Sequence, residues 1–166
     1  MTKSRRTAQL GMLLALACVL SFAEGLVPTT GLLPPGVKLG LSNLVTMYTM
    51  LFLGLPSALT VGVLKAAFVL LTRGAVAGLM SLCGGVLSIL VMFALVHTKK
   101  LVVSCQFVGI CGAVGHNLGQ LTASCLLLGS LTTLAYAPVL ILSGIIMGTI
   151  TSLVFFAVAP AFHRIA

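Results

Sequence analysis

Residues 75–96 read AVAGLMSLCGGVLSILVMFALV, a run with no charge and no proline, bounded by Arg73 before it and by His97, Lys99 and Lys100 after it. An α-helix needs about 20 mainly apolar residues to cross a bilayer. The apolar residues here are continuous, whereas a membrane barrel is built from segments of about 10 residues that alternate apolar and polar. This stretch reads as a membrane-spanning helix.

The pattern recurs in both directions from it. Toward the N-terminus lie Ser57–Thr72, then Leu39–Leu55 set off by Gly54 and Pro56, then Ala8–Leu26 behind the basic cluster Lys3, Arg5 and Arg6. Toward the C-terminus lie Leu101–Gly129 and Tyr136–Phe162. The expected fold is an all-α membrane protein, about six transmembrane helices in one bundle, with residues 1–166 as a single integral membrane domain. Composition agrees: 60% of the chain is apolar, 6% is charged, Glu24 is the sole acidic residue and the formal net charge is +8. A water-facing surface needs far more charge. Six spans also leave no length for a soluble catalytic domain.

The first run admits two readings. Ser21 and Ala23 suit a signal-peptide cleavage site, but Gly11 and Ala15, four apart, are the small residues through which packed membrane helices approach closely. A retained helix is the preferred expectation. Pro28, Gly31, Pro34, Pro35 and Gly36 make Val27–Val37 a loop. Counting Lys and Arg in alternate connections gives six on the side of both termini (Lys3, Arg5, Arg6, Lys99, Lys100, Arg164) against Lys38 and Arg73 on the other. The positive-inside tendency then puts both termini in the cytoplasm of a cell-membrane protein and the proline-rich loop outside. The five cysteines lie in apolar stretches without metal or redox spacing and read as core residues. No feature suggests nucleic-acid binding.

Polar residues inside the spans carry the functional signal, because an ionisable group there costs about 2.5–3.5 kcal/mol on insertion scales and usually faces a partner or a water-filled cavity. Lys65 lies well inside its span, although a long stem could still snorkel. Lys38 and Arg73 sit at the same predicted end as Glu24. If Lys38, Lys65 and Arg73 converge, one carboxylate leaves two positive charges over, which suits an anionic ligand; taken singly, Lys38 and Arg73 equally suit helix ends in the interface. His116 and Gln120 share a helix face one turn apart, with Asn117 beside them, and Asn43 places an amide in the second span. These groups either line a ligand site or tie helices together. The chain has no aspartate, no paired carboxylates and no serine with a base and an acid, so it is expected not to be an enzyme and to hold no metal.

Three strings stand out: PGVKLGLSNLV at 35–45, GGVLS at 84–88 and GAVGHNLGQL at 112–121. Together they resemble the Gx transporter family, also called heptaprenyl diphosphate synthase component I, over nearly the whole chain. That family is similar to the substrate-binding S components of energy-coupling-factor transporters, six-helix proteins that capture a vitamin-like solute beside an ATPase-driven module. The resemblance implies that Gly11 and Ala15 contact a transmembrane coupling protein, that Val27–Val37 covers the ligand, and that ATP is hydrolysed on a partner, this chain binding no cofactor. Candidate ligand contacts are Lys38, Asn43, Lys65, Arg73, His116, Asn117 and Gln120, for a small amphipathic anion such as an isoprenoid, quinone or vitamin-like precursor. The alternative implied by the synthase name is a non-catalytic membrane subunit that anchors a polyprenyl diphosphate synthase.

Overall fold

The computed structural model describes residues 3–26, 40–98 and 104–165, the side chains of residue 131 and of residues 159–165 excepted. Six α-helices follow one another: α1 (Lys3–Leu26), α2 (Leu41–Leu53), α3 (Leu55–Arg73), α4 (Ala75–His97), α5 (Cys105–Leu128) and α6 (Ala137–Ile165). One short 3₁₀ turn (Leu131–Tyr136) leads into α6. Four helical stretches, Lys3–Leu26, Leu55–Arg73, Ala75–His97 and Thr132–Val158, are long and apolar enough to cross a membrane. Leu26, Leu71, Leu126, Leu128, Leu153 and Phe156 point outward and are mostly exposed. An apolar exterior of this kind belongs in lipid, and the chain is a multi-pass membrane protein.

The helix ends follow from single residues. Gly54 joins α2 to α3 with φ 84° and ψ 173°, and Gly74 joins α3 to α4 with φ 89° and ψ 173°, a backbone region that essentially only glycine enters. Each connection is therefore a hinge of one residue, and α2, α3 and α4 run antiparallel. Ser104 starts α5 by accepting the Phe107 amide at 3.2 Å, so the helix begins at Cys105 and not at Leu101, where the apolar run begins. The sixth helix continues to Ile165, through Pro160. At 13 residues, α2 is only about 20 Å long, shorter than the run Leu39–Leu55 suggested, because Gly40 and Gly54 end it. α5 is as long as α1, but Gln106, His116, Asn117 and Gln120 interrupt its apolar character.

α5 packs between α4 and α6, and α1 lies against α2 and α3. Glycines set the closest approaches. A Cβ on Gly119 would stand 2.6 Å from Cys83 O, one on Gly84 2.8 Å from His116 O, and one on Gly148 2.7 Å from Ile110 Cα. These are backbone atoms and cannot swing aside. On α1 the reverse holds: Leu13 and Ala17 enter the core, whereas Gly11 and Ala15 are exposed, and a Cβ on Gly11 would meet no atom within 4 Å. The small-residue face of α1 is thus on the outside of the bundle. The core gathers Leu13, Ala17, Val45, Met47, Tyr48, Val61, Ile89, Met92 and Phe155. Several buried hydroxyls bond along their own helices, Thr49 to Val45 O at 2.8 Å and Ser152 to Gly148 O at 2.7 Å, as membrane helices allow.

Gly119→Ala is expected to push α4 and α5 apart and lower stability by about 1–3 kcal/mol, whereas Gly85→Ala, whose added methyl would meet open space, should be neutral or stabilising. Thermal unfolding of both variants in the same detergent checks this.

Candidate functional site

The polar side chains collect at one end of the bundle, where α1, α3 and α5 finish. On α3 the inward stripe is Ala58, Val61, Gly62, Lys65, Ala66 and Val69, spaced three and four apart as one helix face requires. Lys65 falls on that stripe. It is 2% exposed and among the largest fully buried side chains, so its stem does not snorkel to the surface. Around it lies a cavity lined by Ser21 and Glu24 of α1, Gly40, Ser42 and Asn43 at the start of α2, Ser81 of α4, His116, Asn117 and Gln120 of α5, and Gly144 and Thr151 of α6. Every helix contributes. The space open to a water-sized sphere is about 20 Å³, roughly one water molecule.

Glu24 ties the site together. Its Oε1 accepts the Ser42 amide at 3.2 Å and its Oε2 the Ser42 hydroxyl at 3.5 Å. Gly40, at the head of α2 with φ 74°, offers no side-chain cap, so a carboxylate from α1 answers the exposed first-turn amide of α2, where negative charge is also favoured by the helix dipole. Asn117 is fastened to α6, its Nδ2 donating to Leu140 O at 2.8 Å and to Ser143 Oγ at 3.4 Å. Gln120 is 4% exposed, and among the described residues no group accepts from its Nε2.

Five of the candidate contacts therefore meet: Asn43, Lys65, His116, Asn117 and Gln120. Arg73 does not line the cavity. Its guanidinium donates to Ser21 O and to Phe22 O at 3.4 Å, holding α1 to the end of α3. At the opposite end Arg6 does the same for α2 and α3, donating to Leu53 O at 3.2 Å and Ser57 Oγ at 3.0 Å. Lys38, the loop Val27–Val37, Lys99 and Lys100 lie outside the described residues. Among the described lining residues the charges are one Lys and one Glu, so the expected surplus of two cations is not assembled by them. Sequence reasoning missed Ser21, Ser81 and Thr151 as lining groups, whereas Ser42 adjoins the candidate Asn43 in the second span. Ser81 had a readable signal, since Ser81, Gly84, Gly85 and Ser88 form one small, polar stripe on α4.

Fold and cavity define a polytopic helical membrane protein with a small polar cavity near one end. The model of the family called heptaprenyl diphosphate synthase component I matches residues 13–157, and the chain belongs to that family. Among curated proteins and solved structures nothing matches.

Lys65 and Glu24 face one small cavity, so each is expected to depend on the other. Lys65→Met and Glu24→Gln should each destabilise the protein, and the double variant should lose less than the sum of the two, with a coupling of about 0.5–3 kcal/mol. Unfolding midpoints of the three variants measure it.

Proposed function

We propose that the protein is the substrate-binding S component of an energy-coupling-factor-type transporter. The observation that carries this reading is the convergence of all six helices on one polar cavity around the buried Lys65, in a chain whose exterior is otherwise apolar. A purely structural polar cluster has no need of an ammonium group, and placing one there is costly. The ligand is a small amphipathic solute with an anionic head, of the kind that isoprenoid, quinone or vitamin-like precursors present; Lys65 pairs with the head and Asn43, His116 and Gln120 supply neutral contacts. With both termini in the cytoplasm of the cell membrane, the cavity lies at the outer end of the bundle. Binding requires the cavity to widen, since its open space is about that of one water. The exposed Gly11 and Ala15 face of α1 is the seat of the transmembrane coupling protein, which carries the ATPase subunits. In this reading the chain binds the solute and catalysis is left to the ATPase partner.

A second reading draws on the family's description: a non-catalytic membrane subunit that anchors a polyprenyl diphosphate synthase through its basic cytoplasmic segments. Co-purification from the native membrane separates the two, an ATPase module being expected for the first and a prenyltransferase for the second. In cells, Lys65→Met should reduce solute uptake roughly tenfold to a hundredfold, the loss of one charged hydrogen bond of about 1.5–3 kcal/mol, with the ATPase module still bound. Unchanged uptake by a normally expressed Lys65→Met protein contradicts the reading.

A further inference from the structure

Gln120 lines a second space as well as the polar cavity. This chamber is larger, about 310 Å³, is partly open to the exterior, and is lined by Met80 of α4, Leu121 and Ser124 of α5, Thr133 and the half-exposed Tyr136 of the 3₁₀ turn and Leu140 of α6. An apolar cavity of about 150 Å³ is enough for a benzene ring, so this one takes roughly twice that, or a hydrocarbon body of about eight to ten carbons. Its hydroxyl on α5 is not available for a polar guest: Ser124 donates to Gln120 O at 2.9 Å and leans on the Met80 sulfur at 3.7 Å. The unsatisfied donor is Gln120 Nε2, buried at the wall shared with the polar cavity. A buried amide N–H without an acceptor is unfavourable, and an acceptor presented at this boundary would relieve it.

We propose that the chamber is the second half of the ligand site. It receives the hydrocarbon body of a single-chain amphiphile whose anionic head lies against Lys65, and Gln120 donates through Nε2 to an oxygen at the junction of head and body. The proposal rests on the reading of the polar cavity as a ligand site. It assigns specificity to two places: Lys65 selects the charge of the head, and Met80, Leu121, Tyr136 and Leu140 select the length of the body. A bilayer lipid chain resting in the chamber is the competing occupant, and it would have no reason to engage Lys65 or Gln120.

The test uses the full-length protein in lipid nanodiscs, titrated with inorganic phosphate and with butyl, octyl and hexadecyl phosphate, empty nanodiscs being subtracted. Affinity is expected to rise by roughly fourfold per methylene from butyl to octyl and to stop rising by hexadecyl. Met80→Trp and Leu140→Trp, two independent ways of filling the chamber, should abolish the gain from butyl to octyl while leaving inorganic phosphate binding as it was. Gln120→Leu should weaken octyl phosphate about tenfold. If inorganic phosphate binds through Lys65 but chain length has no effect, or has the same effect in both Trp variants, the chamber proposal is overturned and the polar cavity stands. If no phosphate of any length binds in a Lys65-dependent way, the reading of the polar cavity fails and the chamber proposal falls with it.

Discussion

A single ammonium group buried in a lipid-facing bundle governs this structure. Lipid offers Lys65 no solvation, and the cavity it faces is lined by residues from every helix. That lack explains why a chain with one carboxylate places it at the same cavity, and why the first turn of α2 begins there. The Ser42 amide, left open by Gly40, and the Glu24 carboxylate meet a general need of membrane proteins, which must satisfy exposed helix-end groups internally. The result is an arrangement in which the one carboxylate side chain both lines the cavity and answers the first turn of α2.

Holding that cavity in place requires helices at nearly fixed separation, and glycine supplies it. On α5 one side meets Cys83 and Gly84 of α4 at Gly119, and the other meets Gly148 of α6 at Ile110. His116, Asn117 and Gln120 lie on this same helix, so the closeness of backbone that packs α5 also sets where its polar groups point. The one-residue hinges at Gly54 and Gly74 allow α2, α3 and α4 no slack, which keeps Lys65 at its depth. Arg6 and Arg73 then clamp α1 at its two ends, one through α2 and α3 and the other through its own last carbonyls. α1 keeps an exposed small-residue face, set apart from the packed α4–α5–α6 unit.

Much of this was legible in the sequence. Continuous apolar runs fixed the helical class and the number of helices, and the glycines at 54 and 74 marked two of the breaks. Lys65, His116, Asn117, Gln120 and Asn43 were identifiable because polar residues are rare in such runs. Arg73 was not separable from them, since a helix-end arginine looks alike whether it turns to a cavity or to the carbonyls of a neighbour; only the position of α1 decides. The role of Glu24 as a cap for another helix depends on a contact between α1 and α2 that periodicity does not encode. Ser21 was hidden for a similar reason, because serine is small enough to be unremarkable on any face of a membrane helix.

The most direct test of the central claim is native mass spectrometry of the protein gently extracted from its own membrane, wild type beside Lys65→Met, with the mass of any retained small molecule as the readout. A ligand site built around Lys65 predicts a small anionic molecule on the wild-type protein and its loss from the folded Lys65→Met variant. The same small molecule held equally by both proteins, or by neither while the partner complement is intact, would contradict the account.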